Sequence, residues 1–149
     1  MIRKAELSEA MALSDLALKS KAFWGYSKED LQSWVDDLTV TSEMILHCQV
    51  FSFVVDDKPV GFYILNPPIN NNSELEMLFV LPEFIGKGIG GELLEHAFHQ
   101  AKIWNVDSVT LLADPNAVPF YESKGFKIID KKESSIAGRF LPVMKKNLL

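Results

Sequence analysis

Apolar positions between Gly88 and Trp104 recur every three or four residues. Leu93, Leu94, Ala97, Phe98, Ala101 and Trp104 form one stripe, which predicts a long amphipathic helix. The same spacing at Ala10, Leu13, Leu16 and Ala17 predicts a helix near the N-terminus with Ser8 as its N-cap. Ser27 opens another, KEDLQSWV, with Glu29 and Asp30 in the first turn, where they complement the helix dipole.

Elsewhere the period shortens to two. QVFSFVV and PVGFYIL flank the polar DDK and predict a hairpin. In SELEMLFV, alternation sets Leu75, Met77 and Phe79 on one face and Glu74 and Glu76 on the other. Shorter strands are predicted at Ile2 to Ala5, SVTLLA, FKIIDKK and RFLPVMKK, and NPPINNN resists both helix and strand. NAVPFYESKG reads as a short helix closed by Gly125. Helices interspersed with strands, and hairpins at both ends, predict an α/β fold with a mixed sheet. With 149 residues and no repeat or linker, the expectation is a single domain over 1–149.

Composition narrows what such a domain binds. A formal net charge of −5 argues against a nucleic-acid partner and mildly favours a cationic substrate. Cys48 is the one cysteine, which excludes an intrachain disulfide and a cysteine-based zinc site. His47, His96 and His99 lack metal-ligand spacing, so no metal is expected. His96 and His99 are expected on the solvated side of the long helix, and Cys48 is read as an inert buried thiol. MIRKAELSEA has no signal-like apolar core and no run approaches membrane-spanning length, so a cytoplasmic protein without membrane attachment is expected.

The densest motif is GKGIGG, Gly86 to Gly91, at the start of the long helix. The first N–H groups of a helix lack intrahelical partners, and that end carries roughly half a positive charge. Removing side chains there lets a phosphate reach the N–H groups, and Lys87 adds a cation. No Lys-Ser or Lys-Thr sits where a Walker loop needs one. A dinucleotide turn follows its strand directly and near the start of a doubly wound sheet. Here VLPEFI intervenes, after more than half the chain.

The arrangement of Leu78-Phe79-Val80, Pro82 and then Ile85-Gly86-Lys87-Gly88-Ile89-Gly90 resembles the coenzyme A loop of GNAT-family N-acetyltransferases. A second motif of that family is matched, in slightly shortened form, by Asn116-Ala117-Val118-Pro119-Phe120-Tyr121-Glu122-Ser123-Lys124-Gly125-Phe126. The likeness runs from the N-terminal strand to the closing strand with Arg139 and Leu141-Pro142. One departure is Ile85, where the family prefers Gln or Arg; it removes a side-chain contact near the phosphates and leaves the backbone cradle.

The resemblance implies a mostly antiparallel central sheet flanked by helices, and acetyl-CoA as co-substrate. It also implies acetyl transfer to a primary amine, on a small molecule or a peptide, in a ternary complex. The alternatives are a longer acyl-CoA or a non-catalytic coenzyme-binding module. Backbone groups of Leu78 and Val80 would pair with the pantetheine arm, and Asn116 would contact the coenzyme or brace its loop.

The reaction itself poses two proton problems. An alkyl amine with a pKa of about 10.4 is nucleophilic in only about one molecule per thousand at neutral pH, so a base is needed. Glu74 and Glu76 are the candidates, and the choice between them stays open. The leaving thiolate needs an acid, and the resemblance gives Tyr121 that role. The resemblance also implies that the joint between the first two helices, with Phe23, Trp24 and Tyr26, walls the acceptor pocket. Exposed end strands would allow a homodimer.

Overall fold

The computed structural model describes residues 1–134, 136 and 138–149. Seven strands lie in one sheet in the order β1-β2-β3-β4-β5-β7-β6. They are β1 (Ile2–Lys4), β2 (Gln49–Val55), β3 (Lys58–Leu65), β4 (Asn72–Val80), β5 (Ser108–Leu112), β6 (Lys127–Glu133) and β7 (Phe140–Asn147). Every described pair is antiparallel except β4 with β5. Between β4 and β5 runs the long helix α4 (Ile89–Ile103), the crossover that a parallel pair requires. Asp56 and Asp57 both take positive φ in the β2–β3 turn, the geometry a tight hairpin needs.

Helices cover both faces. On one, α1 (Ala10–Ala22), α2 (Lys28–Ser33) and α3 (Ser42–His47) pack Leu13, Leu16, Ala17, Trp34 and Ile45 onto Phe62 and Ile64 of β3. On the other, α4 and the short α5 (Val118–Ser123) pack Leu93, Leu94, Ala97 and Tyr121 onto Tyr63 and Leu65. Strand β3 is thus covered on both sides, and each fully buried aliphatic side chain stabilises by about 1.5–3 kcal/mol. Gly61 lets α4 come close: a Cβ there would lie 3.1 Å from Leu93 Cδ1 and 3.3 Å from Ile89 Cγ2.

Three local expectations change. Ser8 does not cap α1; a 3-10 turn over Leu7–Glu9 precedes it, and the longer Glu9 carboxylate accepts the Glu6 N–H at 2.9 Å. Helix α3 falls outside the predicted elements; Thr41 caps it, accepting from the Met44 N–H at 3.1 Å.

The third change is in β4. Leu65 pairs with Leu75 but Ile64 pairs with Met77, so one residue, Glu76, is extra. This β-bulge breaks the simple alternation. Leu75 packs into the α4 core, whereas Met77 and Phe79 pack on the α1 side, and Leu78 and Val80 face α4.

Candidate active site

Strands β4 and β5 pair at Asn72–Ser108, Ser73–Val109 and Glu74–Thr110, and then part. The bulge at Glu76 bends β4 away at that point. Beyond it, the β5-facing edge of β4 opens into a cavity of about 1120 Å³. Leu78, Phe79 and Val80 line one wall, and Ile85, Gly86, Gly88, Ile89 and Gly90 the end at the start of α4. Asn116 and Tyr121 line the opposite side.

The glycines are required by geometry. Gly86 and Gly88 take φ of +85° and +81°, and a Cβ at either would meet nothing within 4 Å. The space in front of them is open. The first bond inside α4 runs from the Glu92 N–H to Gly88 C=O at 3.1 Å, so the N–H groups of Ile89, Gly90 and Gly91 precede the intrahelical ladder. A ring of N–H groups at a helix start, facing open space, fits a pyrophosphate. Lys124 Nζ would lie 3.2 Å from a Cβ on Gly91, which brings a cation beside the same turn. Lys87 is turned over the Phe84 ring, 5.3 Å from its centroid, and is absent from the cavity wall.

Tyr121 sits where α5 meets the cavity. The residue is 8 % exposed and packs edge-on against Phe120 and Phe126. Its hydroxyl has no hydrogen-bond partner among the described residues. Burial first, and then the negative charge of Asp114, push the phenol upward, so it stays protonated at neutral pH.

The two glutamates meet on Asn66. Its Nδ2 donates to Glu74 Oε1 at 3.2 Å and to Glu76 Oε2 at 3.1 Å. Burial, a hydrogen bond with Glu76 and the Glu76 charge raise the Glu74 carboxyl, against the opposing pull of Asn66 and Lys132. Two carboxylates this close disfavour ionising together. Glu76 lines this first cavity, and both glutamates line a second groove of about 910 Å³ on the other side of β4. The two cavities share Lys21, Leu75, Glu76, Phe79 and Leu112.

Above this junction lies a polar cluster that sequence reasoning did not assemble. Asp114, two residues past β5, accepts from Lys21 Nζ at 2.5 Å, from the Tyr26 hydroxyl at 2.8 Å and from the Asn116 N–H at 2.9 Å. Arg139 Nη2 donates to the Tyr26 hydroxyl and lies 3.7 Å from Asp114. Burial acts to raise the Asp114 carboxyl, but Lys21, the Asn116 N–H and Tyr26 outweigh it and hold the carboxyl below the usual range. Tyr26 stands edge-on to Trp34 at 4.8 Å, with both cations over those rings. The local signal was Asp-Pro-Asn after a strand, an N-cap ahead of a proline; the distant Lys21 and Arg139 left none.

The aromatic joint is therefore divided. Trp24 lines the first cavity, Tyr26 is fixed in the polar cluster, and Phe23, 49 % exposed, lines neither cavity. Trp34 takes the wall of the second groove instead. Asn116 braces its loop, its Nδ2 donating to Asp114 at 3.0 Å and Tyr26 at 3.2 Å. His96 is not on the solvated side: its Nδ1 lies 2.7 Å from the Tyr63 hydroxyl and its ring 4.5 Å from Phe51. Cys48 is half-buried, its thiol pushed up by burial and then by Glu76.

Comparison with known proteins agrees with this geometry. The acetyltransferase (GNAT) domain family matches residues 24–148, and the chain belongs to that family. Its class is that of acetyl-CoA-dependent N-acetyltransferases. Among relatives, the peptidyl-lysine N-acetyltransferase YjaB of Salmonella typhimurium is 31% identical over 108 residues, 70% of this chain and 68% of its own. Among solved structures, the PaiA N-acetyltransferase of Thermoplasma acidophilum in complex with coenzyme A superposes with a TM-score of 0.83 at 26% identity, covering 99% of this chain and 98% of the other. An aminoglycoside 6'-N-acetyltransferase complexed with coenzyme A shares the fold, with a TM-score of 0.76 at 18% identity over 100% and 97% of the two chains. No helix of the described residues is long and apolar enough to cross a membrane.

Proposed function

We propose that residues 1–149 act as one catalytic unit that moves the acetyl group of acetyl-CoA to a primary amine by direct attack in a ternary complex. The observation that carries this reading is the meeting of two cavities at the β4–β5 divergence, with Glu76 common to both. The coenzyme supplies an activated acyl group as its thioester. The N–H groups at the start of α4 hold the pyrophosphate, and the free edge of β4 at Leu78 and Val80 hydrogen-bonds the pantetheine arm.

The Glu74–Glu76 pair takes one proton from the acceptor ammonium, directly or through a water, and frees the nitrogen lone pair. The C–N bond forms as the C–S bond breaks. Tyr121 gives its proton to the departing sulfur and is reprotonated from the amine nitrogen, so one proton is released per turnover. Tyr121 suits the task because its phenol stays protonated and its hydroxyl is not engaged elsewhere. A cysteine-linked intermediate is disfavoured, since Cys48 lines neither cavity and its surroundings oppose its thiolate.

The test is acetyl-CoA titration by calorimetry, followed by thiol release over amino acids, polyamines, aminoglycosides and lysine peptides. Saturable binding and amine-dependent thiol release are expected. Absence of acetyl-CoA binding overturns the reading. Binding without thiol release on any amine would instead support a coenzyme-binding module.

A further inference from the structure

The polar cluster at the cavity junction holds an unbalanced charge. Lys21 and Arg139 are two cations; Asp114 is their shared carboxylate. Among the described residues neither cation has another carboxylate within 4.0 Å. All three side chains are largely withdrawn from water, at 16%, 18% and 10% exposure. A desolvated charge is costly unless paired, so a buried excess of one positive charge is a standing demand for an anion.

The demand is directional. Tyr26 cannot meet it: its hydroxyl already donates to Asp114 and accepts from Arg139 and Asn116. The Arg139 guanidinium spends Nη2 on Tyr26 and makes no other side-chain hydrogen bond among the described residues, leaving most of its planar donor fork unspent on the wall of the second groove. Lys21 lines both cavities. Asp36, Asp37, Glu74, Glu76 and Glu133 border the same groove, but they are exposed, and none approaches Arg139 as an ion pair. The coenzyme's phosphates belong at the start of α4, not here.

We propose that the acceptor carries a carboxylate close to its amine, and that Arg139, with Lys21, receives it. The acceptor class is then a free amino acid, with its ammonium toward Glu74 and Glu76 and its carboxylate on the guanidinium fork. This proposal rests on the acetyltransferase reading above and specifies its acceptor. A planar fork matches a carboxylate in two parallel hydrogen bonds, which a diamine or an internal lysine of a peptide cannot supply.

The experiment compares acetyl-CoA thiol release on the common α-amino acids, β-alanine and γ-aminobutyrate with release on their carboxamides, which keep size and amine but lose the charge. At least one acid is expected to exceed its amide in kcat/KM by about 10- to 100-fold, the worth of a charge-assisted hydrogen bond. In Arg139→Gln the ratio of acid to amide is expected to fall to near one, and in Arg139→Lys to recover in part. Equal use of acids and amides, or release only with polyamines or lysine peptides, overturns the proposal and leaves the acetyltransferase reading standing. An Arg139→Gln variant that slows acid and amide alike also overturns it, because the cluster would then serve the fold or a transient charge. Failure of acetyl-CoA to bind would instead remove the parent reading.

Discussion

The cleft proposed for the coenzyme and the groove proposed for the acceptor share a wall but are built by different means. The cleft is made of backbone: a free strand edge, glycines at positive φ and the unpaired N–H groups of one helix start. Its parts come from a few short, contiguous stretches. The groove is made of side chains delivered by α1, the α2–α3 region, β4 and the segment before β7. A backbone site recognises what all members of a family share, whereas a side-chain site can differ in each of them.

The strongest way to break this contrast is to put a charge into the backbone site. Gly90→Glu places a carboxylate where phosphate should sit, and like charges in contact cost several kcal/mol. Acetyl-CoA affinity in calorimetry is expected to fall more than about a hundredfold. The melting temperature should hold, because a Cβ there finds Phe120 at an ordinary 3.5 Å and an acidic residue suits the first turn of a helix. Undiminished affinity would sink the cradle.

Tyr121→Phe separates chemistry from binding. It should lower kcat about a hundredfold, a usual value for a lost general acid, with acetyl-CoA affinity unchanged. The fold should not weaken, since no hydrogen bond disappears with the hydroxyl and a buried polar group is removed. An unchanged kcat would take the acid role from Tyr121.

Glu76→Gln sharpens the groove side through pH. The Glu74 carboxyl is raised by burial and, in addition, by Glu76, so activity that needs ionised Glu74 rises with pH above the ordinary carboxylate range. Removing the Glu76 charge should move that acid limb of kcat/KM to lower pH. Loss of activity at every pH would identify Glu76 as the base. Stability runs the opposite way with pH. Glu74 binds its proton more tightly folded than unfolded, so its contribution is full below the unfolded pKa and is lost as pH rises through the folded one. Glu76→Gln should reduce that loss in urea titrations at neutral pH. The smallest effect is expected for Phe23→Ala, which faces neither cavity and should leave acetyl-CoA affinity and KM for the acceptor unchanged.

The same division governs what could be read in advance. The helix stripe ending at Trp104, the DDK turn and Gly125, at φ +94°, follow from local chemistry and occur as expected. Gly86 to Gly90, Asn116 and Tyr121 stood out because strand, glycine loop and helix are consecutive. By contrast, Lys21, Asp114 and Arg139 are 93 and 25 positions apart along the chain, and only tertiary packing unites them. Helix α3 was hidden because six residues carry too little periodicity. His96 was misplaced because a polar residue on a helix normally faces water; here the Tyr63 hydroxyl, deep under α4, needs a partner.

The extra residue in β4 has a consequence for how this protein can change. Because Glu76 reverses the facing of everything after it, Met77 and Phe79 belong to one core while Leu78 and Val80 belong to the other. Their assignment depends on chain length, not on residue type. Replacing Glu76 by almost any side chain would preserve that count; losing one residue would exchange the two sets, turning Met77 and Phe79 into the α4 core and straightening the strand where it parts from β5. In β4 the number of residues, and not the side chain at position 76, decides which core each later residue enters.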